Sequence, residues 1–139
     1  MNVRTRSLDW NTIQVGDELP ALRIDVTATV IVAGALATRD FMPVHHDRNY
    51  ANVQGAPDIF MNILSTNGFV GRFITDWAGP DAILKSVKIR LGAPNHPGDT
   101  MTMTGQVTAK DDGVVKVHVR GANDLGDHVT GTVALELPR

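Results

Sequence analysis

The second half of the chain alternates apolar and polar side chains four times over, and that pattern constrains the fold more than any other. Val87, Ile89 and Leu91 oppose Ser86, Lys88 and Arg90. Met101, Met103, Val107 and Ala109 oppose Thr102, Thr104, Gln106 and Thr108. Val115, Val117 and Val119 oppose Lys116, His118 and Arg120, and Val129, Val133, Leu135 and Leu137 oppose Thr130, Thr132 and Glu136. Period two puts one class of side chain on each face of a strand, so these are four strands, each apolar on one side only. Turn residues fall between them at Pro94 to Asp99, Asp111-Asp112-Gly113 and Asn123 to Gly126.

A sheet with one apolar face needs a cover, and the first half of the chain supplies one long apolar period. Ile59, Ile63, Val70, Phe73 and Trp77, with Phe60, Leu64 and Ile74, recur at three- and four-residue steps. They predict a helix of about five turns, N-capped by Asp58 and ended by Gly79-Pro80. Gly68 and Gly71 lower its helix propensity and predict close approach of another backbone. Upstream, Leu22, Ile24, Val26, Val30 and Val32 share one parity, which predicts a further strand from Leu22 to Val32. Ala33 to Arg39 then reads as one or two helical turns. The expected fold is α+β: a single domain over residues 1–139, with a curved antiparallel sheet of about five strands wrapped around one central helix, the hotdog arrangement. Its edge strands stay unpaired in a monomer, and a dimer that joins two sheets would satisfy one of them.

Composition narrows the function classes. A net charge of −2 with no basic block argues against a nucleic-acid binder. The absence of cysteine excludes disulfides and thiolate chemistry. Met1 to Trp10 lacks the apolar core of a signal peptide, and no apolar run approaches the roughly 20 residues of a membrane span. A cytoplasmic protein is expected, with no membrane association.

The chemistry concentrates in Asp40-Phe41-Met42-Pro43-Val44-His45. A continuous helix would not bring Asp40 and His45 onto one face, because helical neighbours lie three or four residues apart. Pro43 breaks the helix and holds Met42 extended, so the segment bends and aims both side chains at one point. A carboxylate and an imidazole aimed at one water form a general acid/base pair. A capping aspartate and a structural histidine are the plainer alternative. His46 and Asp47 adjoin the pair, but adjacent side chains point apart and no further ligand stands at a metal spacing, so no metal is expected. Asp47 is read as the cap of the following turn, His118 as solvated, and His128 as a strand-start residue with no role.

These residues resemble the MaoC-like (R)-specific enoyl-CoA hydratases, whose motif places Asp and His at this spacing with a proline two before the His. Val15 to Pro20 resembles the opening of that family, and Pro97-Gly98-Asp99-Thr100 its turn before a late strand. A narrower likeness runs through Ala37 to Phe41, Val44 to Arg48, Asp58-Ile59-Phe60, Thr75 to Pro80 and Leu125 to Thr130. It is to the small MaoC-like subunit of the actinobacterial steroid side-chain enoyl-CoA hydratase, in which two different hotdog subunits form the enzyme.

The resemblance implies a hydro-lyase that adds water to a 2-enoyl-CoA, with no cofactor beyond the CoA thioester itself. Asp40 and His45 would be catalytic. Members of the family open the central helix with His-Gly and bind the thioester oxygen there; the matching positions here read Asp58-Ile59, which makes the Ile59 backbone amide the implied oxyanion donor. A polar position on that helix in some members matches Asn67, an implied substrate contact. The partner would be a second hotdog subunit, or a second copy of this chain. Two other functions stay open: a hotdog acyl-CoA thioesterase using Asp58 or Asp76, and a non-catalytic acyl-CoA-binding subunit.

Overall fold

The computed structural model describes residues 4–139; Met1 to Val3, part of the N-terminal stretch discussed above, lie outside the described residues. Five strands form one antiparallel sheet: β1 (Glu18–Asp25), β2 (Ile83–Leu91), β3 (Thr100–Asp111), β4 (Val114–Asn123) and β5 (Gly126–Glu136), in the order β1-β3-β4-β5-β2. The helices are α1 (Ala28–Ala37), α2 (Arg48–Val53) and α3 (Ile63–Ala78). The apolar faces of β3, β4 and β5 are buried along Met101, Met103, Val117, Val119, Val133 and Leu135, and they share one core with Val70, Phe73, Ile74 and Trp77 of α3. One central helix under a one-sided sheet is the expected arrangement. β-bulges interrupt every ladder, and each adds a local bend.

The apolar face of β2 is the least covered. Val87 and Ile89 are half-buried and Leu91 is exposed on this edge strand, which pairs only with β5.

Three local expectations are corrected. The first strand stops at Asp25, not Val32, because the Thr27 hydroxyl accepts the Val30 N–H at 3.0 Å and caps α1. The parity of Leu22, Ile24 and Val26 is real, and all three are buried; beyond Thr27 the same residue types belong to a helix. Second, Asp58 does not cap the central helix. Residues 58–62 run outside it, held by the Phe60 N–H on the Val44 carbonyl (3.3 Å) and the Met61 N–H on the Asn95 carbonyl (3.1 Å). The cap is Asn62, whose Oδ1 accepts the Ser65 N–H at 3.2 Å. Third, a Cβ added at Gly68 would meet nothing and one at Gly71 only the side chain of Leu84, so neither glycine is required by a crossing backbone. The close approach falls elsewhere: a Cβ at Gly34 of α1 would collide with Ser65 of α3.

Candidate active site

The end of α1 places Asp40. Arg39 takes a left-handed conformation (φ 57°), its N–H bonds to the Leu36 carbonyl, and the Asp40 N–H bonds to the Ala35 carbonyl at 2.9 Å. That pair of bonds is the Schellman ending of a helix, here without glycine. It fixes the backbone of Asp40 relative to α1. Met42 is extended, as a residue before proline must be, and Pro43–His45 forms one 3-10 turn. Asp47 then caps α2 through the Tyr50 N–H, as expected.

The bend brings the pair together. Asp40 Oδ2 lies 3.4 Å from His45 Nε2. The other ring nitrogen, Nδ1, donates to the Phe60 carbonyl at 2.6 Å. A carbonyl only accepts, so Nδ1 carries a hydrogen in either protonation state and Nε2 is left to face the carboxylate. The Phe60 ring packs edge-on against the imidazole, with centroids 5.1 Å apart.

Asn62 completes the arrangement. Its Nδ2 donates to Asp40 Oδ2 at 3.0 Å and to the Thr38 hydroxyl at 2.9 Å, while its Oδ1 caps α3. The Asn62 amide holds the Asp40 carboxyl below its usual range; desolvation opposes this, and the Met42 N–H and the facing His45 add to it. Asp40 is therefore an anion at neutral pH. A cavity of about 310 Å³ opens beside the pair, walled by Met61, Asn62 and Ile63 on one side and by Leu91 to Pro94 and His128 on the other. A larger concavity of about 440 Å³ lies against Glu18, Thr104, Gln106 and Arg120, away from these groups.

The structure thus unites Asp40 and His45, and it places the other two expected residues differently. The Ile59 amide donates to its own neighbour, Asp58 Oδ1, at 2.8 Å, and lies four residues ahead of α3. The backbone N–H groups of Asn62 and Ile63 have no acceptor among the described residues, and both residues line the cavity. Helix N-termini leave such donors free and carry partial positive charge. Asn67 is half-buried, does not line the cavity and makes no side-chain hydrogen bond among the described residues. From sequence, Asn62 and Thr38 have no assigned role and His128 reads as a strand-start residue with none; the structure puts Asn62 and His128 in the cavity wall and Thr38 against Asn62. An Asn before an Ile-Leu run is a cap signal that could have found Asn62; Asp58 carried a competing one.

Among the described residues, no three His, Asp or Glu side chains group as a metal site would require. None of the described helices is long and apolar enough to cross a membrane. Asp58 pairs with Arg48 and Asp76 with Arg72, so neither carboxylate of the thioesterase alternative points into the cavity.

An Asp/His pair on a bend before the central helix of a hotdog fold defines a class. The chain belongs to the MaoC-like domain family, whose model matches residues 10–128. Among individual proteins, it is 54% identical over 123 residues to the 3-oxo-4,17-pregnadiene-20-carboxyl-CoA hydratase beta subunit of Mycobacterium tuberculosis, covering 88% of this chain and 95% of the relative. A crystal structure of the ChsH1-ChsH2 complex from the same organism contains a chain that superposes with a TM-score of 0.88 at 54% identity, over 91% of this chain and 98% of that one. The R-hydratase PhaJ1 of Pseudomonas aeruginosa shares the fold at 20% identity, with a TM-score of 0.89 over 97% of this chain and 88% of that one.

Proposed function

We propose that the chain is an enoyl-CoA hydratase subunit that adds water across the double bond of a 2-enoyl-CoA thioester. The observation that carries this reading is the convergence of Asp40 Oδ2 and His45 Nε2, 3.4 Å apart, on a cavity whose wall offers free backbone N–H groups. The ionised carboxylate is an acceptor, and so is the imidazole, with its hydrogen on Nδ1, whenever Nε2 carries none. One water can donate a hydrogen to each, which turns its lone pair outward.

As the water oxygen bonds to the β-carbon, the pair takes its proton. The π-electrons move toward the thioester carbonyl, and its oxygen becomes an enolate. The N–H groups of Asn62 and Ile63 would receive that charge, in place of the Ile59 amide; a donor of this kind contributes roughly 3–4 kcal/mol in the transition state. Return of the proton to the α-carbon completes the addition. No electron leaves or enters, so the reaction calls for no redox cofactor and the CoA thioester is simply the substrate.

The substrate proposed is a bulky, steroid-type enoyl-CoA, on the strength of the name of the 54% identical relative. About 310 Å³ is near the lower end of ligand pockets, which span about 300–1,000 Å³, so a polycyclic acyl group needs a further wall. A second hotdog subunit is the proposed source of that wall. Ile63 and Leu91 line the cavity yet are 48% and 38% exposed, and Phe41 and Met42 beside the pair are exposed as well. The edge strand β2 and the uncharged helix α1, in which only Ile31 and Ala35 are buried, offer apolar surface for such a partner. The reading carries with it a cytoplasmic location.

The test is co-expression with a MaoC-like partner subunit and an assay of enoyl absorbance with a steroid enoyl-CoA and with 2-octenoyl-CoA. Loss of absorbance that depends on Asp40 is expected. Release of free thiol with the enoyl absorbance intact would replace the reading with thioester hydrolysis.

A further inference from the structure

His128 sits in the wall of the same cavity, 2% exposed, and nothing in the addition of water uses it. Its orientation is a product of strand pairing. Gly121 pairs with Val129 and Ala122 with Asp127, so His128 is the extra residue of a β-bulge between β4 and β5. Strand alternation would turn it away from the buried Val129; the bulge turns it inward beside that residue.

Both ring nitrogens are engaged. Nδ1 lies 2.7 Å from the Ala93 carbonyl and therefore bears a hydrogen. Nε2 lies 2.8 Å from the hydroxyl of Thr66, which is fully buried in the second turn of α3. That hydroxyl also lies 3.4 Å from the Asn62 carbonyl, but the shorter contact marks Nε2 as its acceptor. The main chain at the bulge grips the same wall: the Gly92 N–H donates to the His128 carbonyl and the Ala93 N–H to the Asp127 carbonyl, each at 2.8 Å. Burial lowers the imidazole below its usual range and keeps it neutral, with the Ala93 carbonyl in partial opposition. A neutral ring with both nitrogens occupied has no proton to exchange with a substrate.

We infer that His128 is a positioning residue, a strut that ties the Gly92–Ala93 wall to Thr66 and so fixes the start of α3 opposite Asp40 and His45. The start of α3 carries the Asn62 side chain that holds Asp40, and Asn62 and Ile63, which line the cavity, have backbone N–H groups with no acceptor among the described residues. Thr66 N–H also bonds the Asn62 carbonyl at 3.2 Å, so displacement of Thr66 moves Asn62 directly. The inference rests on the proposed hydratase function.

The experiment compares Thr66→Val, Thr66→Ser and His128→Phe in the co-expressed complex, with Asp40→Asn as a control, using 2-octenoyl-CoA. A misplacement of catalytic groups by a fraction of an ångström to 1 Å lowers kcat by about tenfold to a hundredfold. Thr66→Val and His128→Phe are expected to show that loss in kcat with KM within about threefold and the fold intact by circular dichroism, and Thr66→Ser to restore it. A Thr66→Val variant with parental kcat overturns the strut, and the hydratase reading survives if Asp40→Asn is inactive beside it. If the parental complex does not hydrate the substrate, the functional reading falls. The strut is then decided by the side-chain amide resonances of Asn62: they move in Thr66→Val and return in Thr66→Ser, and unmoved resonances overturn it.

Discussion

His45 and His128 line one cavity and begin from the same bond, a ring Nδ1–H donated to a backbone carbonyl. They differ at Nε2. In His45 it meets the carboxylate of Asp40 across 3.4 Å, with the cavity beside it. In His128 a buried threonine hydroxyl has taken the position. The elements that carry them explain the contrast. His45 ends a proline-started 3-10 turn and lines the cavity, with no hydrogen-bond donor or acceptor among the described residues other than Asp40 near its Nε2. His128 sits in a strand bulge between two packed layers, where every polar atom needs a protein partner. The difference teaches that an imidazole becomes a reagent through the atom its surroundings leave free, more than through its presence in a site.

The comparison breaks most directly at the pair proposed to activate water, Asp40 and His45. Asp40→Asn and His45→Gln should each lower kcat by about 10²- to 10⁴-fold with the fold intact by circular dichroism. Equal losses from His45→Gln and His128→Phe would erase the distinction between the two histidines.

Asn62 sharpens it next. Asn62→Ser keeps an N-cap but loses the amide donated to Asp40, so kcat should fall while the melting temperature holds. Loss of that donor lets the Asp40 pKa rise, and the acid limb of the kcat profile should move to higher pH. Asn62→Ala removes the cap as well, and denaturation should reveal a further cost of about 1 kcal/mol.

Stability against pH tests the buried ring. His128 is neutral in the folded state with its pKa below the ordinary 6.5, so its contribution is complete above 6.5 and is lost as pH falls toward the folded value. Urea titrations from pH 7.5 down to 5 should show the parent losing more stability than His128→Phe. The reverse slope would mean that the ring is protonated in the folded chain. The smallest effect is expected from Asn67→Ala: it lies outside the cavity, and kcat within about twofold of the parent is expected.

The parts legible in the sequence are those with local causes. Alternation gave β3, β4 and β5 because these strands are buried on one face along their length. The Asp40–His45 bend was visible because Pro43 dictates it. The misreadings share another origin. Val30 and Val32 fit both a strand and a helix, and a single hydroxyl, that of Thr27, decides between them. Pro57-Asp58 looks like a helix start, but the segment after it is fastened to Val44 and Asn95, distant residues that no local pattern announces. His128 reads as a strand-start residue with no role, and a bulge set by pairing with β4, which no local pattern announces, turns it into the cavity wall. Ile59 and Asn67 come from the family resemblance, and Asn62 is passed over because Asp58 offers the earlier cap signal.

The Schellman ending of α1 has a consequence for insertions and deletions. Asp40 is locked to the last turn of α1, and each residue of a helix advances about 100° and 1.5 Å. One residue added to or removed from α1 would swing the carboxylate away from His45, which is anchored separately through Phe60. The composition of α1 is free to vary, whereas its length behaves as a phase setting, and only a compensating change of nearly a whole turn would return Asp40 to the same bearing.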